Sequence, residues 1–135
     1  MVEVSSSDAV RQARERYPRG LEQPEGGYRF SMDALLLACF ARPFSREPVL
    51  DLGAGCGVAG LGLLLRFPER GLHVTAVEPD EAMLRASGEN AGKLGFADAF
   101  EPRRLDAASA ARELPPQSCG LAVANPPYRR EHSGR

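Results

Sequence analysis

Asn125, Pro126, Pro127 and Tyr128 form one unbroken run, and together they could clamp an amine. The asparagine side chain offers a carbonyl acceptor. Pro126 offers a backbone carbonyl, and the two proline rings stiffen the turn so that both acceptors stay aimed. Tyr128 adds a flat face for stacking a planar group. An amine conjugated to an aromatic ring or a carbonyl is a poor nucleophile, because its lone pair is delocalised. Two acceptors on its hydrogens draw the nitrogen towards tetrahedral geometry and free that pair for attack. Facing a reactive electrophile, such a clamp works by alignment and electrostatics, with no metal and no activated side-chain nucleophile.

A second constellation, Asp51-Leu52-Gly53-Ala54-Gly55-Cys56-Gly57, runs into the apolar stretch Val58-Ala59-Gly60-Leu61-Gly62-Leu63-Leu64-Leu65. It reads as a buried strand, a glycine turn and a helix. Alternating glycines permit positive φ and leave no Cβ between backbone and ligand, and the helix aims its free N–H groups into the turn. The carboxylate of Asp51 points to a nucleoside cofactor with a cationic end, since a phosphate cradle has no use for it. Gly55 to Gly60 also fits the dinucleotide pattern G-x-G-x-x-G, so nicotinamide and flavin stay open on this motif alone. A turn whose glycines serve only tight packing is the plain alternative. Glu78, followed by Pro79, ends the next strand, where a carboxylate accepts hydrogen bonds from ribose hydroxyls. Asp106 has two compatible readings, an acceptor for an adenine amine and an N-cap for the helix after it.

These residues need a frame to hold them, and repeated β–α units supply one. Strands are expected at 49–52, 72–77, within 100–105 and at 119–124. Helices are expected from 58 to about 66, over 81–93 with Asp80 as cap, and over 107–112. Pro102 suits an edge strand because it cannot donate to a neighbour. The small apolar run at 119–124 suits a strand buried on both faces. The pattern implies an α/β fold with a parallel sheet and right-handed crossovers. Upstream, residues 1–7 read as a disordered terminus, Asp8 as the cap of a short charged helix, 21–27 as a loop, and Ser31 as the cap of a helix stopped by Pro43.

At 135 residues the chain is one domain, with 43% hydrophobic and 26% charged residues and a net charge of −1. That balance carries no global basic signal for nucleic acid. Three scattered cysteines and two isolated histidines show no metal-ligand spacing and no disulfide framework. No signal peptide or membrane-length apolar run is seen, and a reducing cytoplasm is expected.

Taken together, the glycine turn, Glu78 and Asn125-Pro126-Pro127-Tyr128 resemble the class I S-adenosylmethionine-dependent methyltransferases, in the amino-methylating group marked by N-P-P-Y. The resemblance implies a Rossmann-like sheet whose first four strands lie in the order 3-2-1-4, so that the cofactor turn and the clamp are neighbours. It implies S-adenosyl-L-methionine as cofactor, held by Tyr28, Phe30, Asp33, Asp51, Gly53, Ala54, Gly55, Gly57, Glu78, Pro79, Asp106 and Asn125. Catalysis would fall to Asn125, Pro126, Pro127 and Tyr128. Gln23-Pro24 and the run from Gly27 to Ala38 are similar to the bacterial tRNA adenine-N6 methyltransferases that act on a valine tRNA. The release-factor glutamine methyltransferases share N-P-P-Y, but usually carry a helical domain and a different proline segment, neither of which is seen here.

Such enzymes continue beyond N-P-P-Y with three more strands, whereas this chain ends at Arg135. The expectation is therefore a tail and short helix over 1–22, then the cofactor-binding front part of a methyltransferase over 23–135, with tRNA as partner and neither metal nor membrane. Strand four would be an open edge, covered by a dimer partner or another chain. A truncated, non-catalytic cofactor-binding module is the alternative from a different class.

Overall fold

The computed structural model describes residues 6–26, 29–44 and 48–126. Its elements are α1 (Ser6–Arg16), α2 (Met32–Phe40), β1 (Val49–Leu52), α3 (Val58–Arg66), a 3-10 turn (Pro68–Arg70), β2 (Val74–Val77), α4 (Glu81–Lys93), β3 (Phe100–Arg103), α5 (Ala107–Glu113) and β4 (Leu121–Ala124). The four strands form one parallel sheet in the order β3-β2-β1-β4. This is the Rossmann-like arrangement that the β–α pattern and the resemblance implied.

Local chemistry accounts for the elements. Helix α3 is buried from Val58 through Leu64, as an apolar helix enclosed on more than one side must be. It meets the sheet on one side and α2 on another. Ala38 is small enough to let α2 close in, and a Cβ added at Gly62 would stand 2.7 Å from the Ala38 Cβ. Helix α4 buries Met83, Ala86, Ser87, Asn90 and Ala91, a single stripe at helical spacing. Asp80 caps it, its carboxylate accepting the Met83 N–H at 3.0 Å. Gly95, at φ +75°, turns the chain out of its end. The main core joins Val49, Leu61, Leu63, Leu72, Val74, Leu94, Phe100 and Val123 between these layers.

Several expectations need correction. Helix α1 already includes Ser6 and Ser7, so Asp8 lies within it rather than at its cap, accepting from Arg11 at 3.4 Å. Ser31 occupies the N-cap position of α2 but makes no capping bond with its side chain. The second and fourth strands are each two residues shorter at their amino ends than the apolar runs suggested. Strand β4 is also not buried on both faces. Val123 is buried while Ala122 and Ala124 are exposed, because β4 pairs with β1 alone among the described residues. At the opposite edge, β3 carries Pro102 where a proline is tolerated.

Candidate active site at the carboxyl edge of the sheet

Strand register lines the site up. Leu52 pairs with Val77 on one side and with Ala124 on the other. The residues that follow, Gly53, Glu78 and Asn125, therefore leave the sheet side by side at its carboxyl edge, where ligands bind in open α/β sheets. A cavity of about 520 Å³ opens there. Of the residues expected around a cofactor, Phe30, Asp33, Asp51, Gly53, Ala54, Gly55, Glu78, Pro79 and Asn125 line it, as does Pro126. Tyr28, Pro127 and Tyr128 lie outside the described residues. Asp33 and Asn125 also border a shallower neighbouring groove formed with Leu36, Leu37, Cys39 and Phe40 of α2.

The glycine turn is shaped by backbone geometry. Gly53, Gly55 and Gly57 sit at φ +67°, +56° and +93°, where other residues are strained. Gly57 itself faces inward, and a Cβ there would stand 3.1 to 3.3 Å from Leu61, Phe100 and Ser87. It packs the turn rather than bordering the cavity. The turn is fastened to the sheet by the Ala54 N–H bonding to the Val77 carbonyl at 3.0 Å.

Both carboxylates of the strand ends also hold the turn. Asp51 is 2% exposed, and its Oδ2 accepts the Gly60 N–H at 3.0 Å. Gly57, at the N-cap of α3, has no side chain to cap with. Asp51 supplies that function from the neighbouring strand, with its charge at the favourable end of the helix dipole. Burial pushes its carboxyl up to about 7, the Gly60 N–H pulls it down, and the nearby charge of Glu78 raises it again. Glu78 is half-buried; its Oε1 accepts the Gly55 N–H at 3.2 Å and its Oε2 the Asp80 N–H at 3.4 Å. Desolvation raises its pKa, opposed by those two amides.

Asp106 stands apart. It is exposed, does not border the cavity, and caps α5 by accepting the Ser109 N–H at 2.6 Å. That bond holds its carboxyl below the usual range. The cap expected of it is formed. The cavity wall also includes Arg29, Ser31, Ala34, Cys56, Val58 and Ala59, which lie within the quoted motifs but were given no cofactor role, and Met83, which lies outside them. Met83 could have been found, since the stripe it shares with α4 lies under the glycine turn.

The lining residues set the charge balance that a ligand meets. The lining holds three acidic residues, Asp33, Asp51 and Glu78, and one arginine, Arg29. An anionic pyrophosphate would be repelled by that balance, whereas a cation flanked by a ribose would be held. The turn leaves the approach open, with no atom within 4 Å of a Cβ built at Gly53. Among the described residues no group of three or more His, Cys, Asp or Glu could hold a metal ion, and no helix is long and apolar enough to cross a membrane.

The model of the methyltransferase small domain matches residues 31–135. The chain belongs to this family. Among curated relatives of this methyltransferase domain is the tRNA1(Val) (adenine(37)-N6)-methyltransferase of Vibrio cholerae, 28% identical over 108 residues. The protein of the same name from Pedobacter heparinus is 34% identical over 110 residues. Ribosomal RNA small subunit methyltransferase A of Anaeromyxobacter dehalogenans is 38% identical over 98 residues, covering 68% of this chain and 33% of its own. The first two matches each cover 80% of this chain but only 43% and 44% of the relatives. The methyltransferase domain described here thus spans less than half the length of those proteins. Solved structures share its fold. The C-terminal domain of precorrin-6Y C5,15-methyltransferase from Rhodobacter capsulatus superposes with a TM-score of 0.58 at 20% identity, over 73% of this chain and 51% of that one. An RNA methyltransferase from Salinibacter ruber, in complex with S-adenosyl-L-homocysteine, gives 0.54 at 18% identity, over 73% and 60%.

The packing around Asp51 yields a stability prediction. A Cβ at Gly60 would lie 2.8 Å from the Val74 Cγ1 and 3.0 Å from the Asp51 Oδ2. Gly60→Ala is therefore expected to destabilise the domain by about 1–3 kcal/mol, the usual cost of overpacking. The loss reads out as a lowered midpoint in urea unfolding.

Proposed function

We propose that this chain binds S-adenosyl-L-methionine at the carboxyl edge of its sheet and presents an exocyclic amine, adenine N6 in tRNA, for methylation. The observation that carries the reading is the register that sets Asn125 and Glu78 on either side of Gly53 around one acidic cavity. S-adenosyl-L-methionine, when bound, supplies an electrophilic methyl group on a positively charged sulfur. Asp51 and Asp33 offset that charge, and Glu78 accepts from the ribose hydroxyls with the lone pairs that Gly55 and Asp80 leave free. Pro79 and Met83 provide apolar surface for the adenine ring. Asn125 Oδ1 and the Pro126 carbonyl accept the two hydrogens of the substrate amine and hold its lone pair towards the methyl carbon. Tyr128 stacks on the base. With the amine aligned, the acceptors need only stabilise the positive charge that grows on nitrogen, and the surplus proton leaves to water after transfer.

The RNA reading is supported by the relatives, which are named for tRNA and ribosomal RNA methylation. A cytoplasmic setting goes with that substrate. The test is to incubate the chain with methyl-labelled cofactor and either total tRNA or a peptide release factor. Label is expected in the tRNA, recovered after digestion as N6-methyladenosine. Label only in the protein would reject the RNA reading in favour of a glutamine methyltransferase.

A further inference from the structure

A buried amide far from any motif joins the two walls of the cavity. Asn90, on α4, is fully buried. Its Oδ1 accepts the Glu22 N–H at 2.6 Å, and its Nδ2 donates to the Glu22 carbonyl at 3.0 Å and to the Cys56 carbonyl at 2.9 Å. One N–H and two carbonyls fix which way the amide faces, since the reversed orientation would set donor against donor. Cys56 is the middle of the glycine turn. Glu22 belongs to the segment that leads from α1 towards α2. So one side chain ties the turn, 34 residues before it in sequence, to a strap of chain 68 residues before it.

The strap has further fastenings. The Tyr17 hydroxyl donates to the Val58 carbonyl at 2.5 Å, and burial raises its pKa. Arg14 donates to the Leu94 carbonyl at 2.8 Å and lies over the Phe96 ring. Lys93 pairs with the Glu22 carboxylate. One residue beyond Glu22, the Gln23 Oε1 accepts the Phe30 N–H at 3.2 Å, and Phe30 borders the cavity. Beneath this wall lies a small apolar cluster separate from the main core. It comprises Ala34, Cys56, Val58 and Ala86, with Tyr17, Leu21, Phe30 and Leu35 packed against it.

We infer that Asn90 and Gln23 are positioning residues for the cofactor cavity: Asn90 locks the glycine turn to the N-terminal strap, and Gln23 carries that lock to Phe30. Neither borders the cavity. They act by keeping the turn and the Phe30 wall at one separation, so that little ordering remains when an adenosyl ligand enters. The inference rests on the cofactor reading above and deepens it.

The test uses the full chain and S-adenosyl-L-homocysteine, with Gln23→Ala, Gln23→Glu and Asn90→Ala variants. Among the described residues Gln23 uses only its acceptor oxygen, so Gln23→Glu should bind like wild type. Gln23→Ala should bind about three- to tenfold more weakly, the worth of one hydrogen bond, with only a small drop in the unfolding midpoint. Asn90→Ala, which strands three backbone groups, should bind still more weakly and unfold more easily. Hydrogen exchange on the ligand-free chain gives a second readout. The Phe30 amide should exchange faster in Gln23→Ala, and the Glu22 amide in Asn90→Ala. A folded Gln23→Ala that binds as tightly as wild type overturns the inference, as does unchanged exchange at Phe30. If Asn90→Ala fails to fold, the Gln23 pair decides. Wild-type chain that gives no heat with the ligand refutes the cofactor reading instead, and the exchange data still judge the lock.

Discussion

Asp51→Asn is expected to make the ligand-free domain more stable at pH 8 and to weaken its hold on a cationic cofactor. The folded-state pKa of Asp51 is pushed up to about 7 by burial, against an ordinary 3.8. Between those values the folded chain keeps a proton that the unfolded chain has lost. Stability therefore falls as pH rises from about 4 to about 7 and is level above that. A shift of this size corresponds to on the order of 2–4 kcal/mol. Asparagine keeps an oxygen for the Gly60 N–H but carries no charge to bury, so the slope should shrink in urea midpoints measured across pH, leaving the smaller share that Glu78 contributes.

Binding should show the opposite dependence. A positive ligand beside Asp51 and Glu78 favours their ionised forms, so affinity for S-adenosyl-L-methionine should rise about tenfold between pH 6 and pH 8. S-adenosyl-L-homocysteine lacks the sulfonium charge and should rise less. In Asp51→Asn the methionine form should bind about 10–100-fold more weakly, the range for losing a charge-assisted contact. The preference over the homocysteine form should shrink with it. Calorimetry with both ligands at the two pH values checks each statement.

Asn125→Ala should separate binding from chemistry. Asn125 is half-buried and borders both the cofactor cavity and the groove along α2. Its proposed acceptor acts on the amine as charge develops, and a positioned group of that kind is typically worth 10²–10³ in rate. The methylation rate is expected to fall by about that factor, while affinity for S-adenosyl-L-homocysteine changes less than about tenfold. A variant that loses both together would mean that Asn125 shapes the cavity rather than the reaction.

Much of this site was legible because its determinants are local. Asp51 to Gly57 encodes a strand end and a turn at positions that need positive φ, and three glycines meet that need. Asp80 and Asp106 cap the helices they precede, since capping depends on only three residues of spacing. Pro102 marked its strand as an edge for an equally local reason. The tie from Asn90 to Glu22 was not legible, because nothing near either residue records a contact across 68 positions. The inward role of Asp51 was hidden for a related reason. Its motif suggests a ligand contact, but its partner, Gly60, lies on the far side of the turn. The exposed Leu36 and Phe40 of α2 also escaped the pattern, since a run of apolar residues says that a surface is suited to burial and not what lies against it.

The central claim is that the acidic cavity at the carboxyl edge takes an adenosyl cofactor rather than a dinucleotide. Calorimetric titration of the chain with S-adenosyl-L-homocysteine, and separately with NADH, tests it most directly. A saturable one-to-one heat with the first ligand and none with the second is the predicted result. Heat with NADH and none with S-adenosyl-L-homocysteine would contradict it.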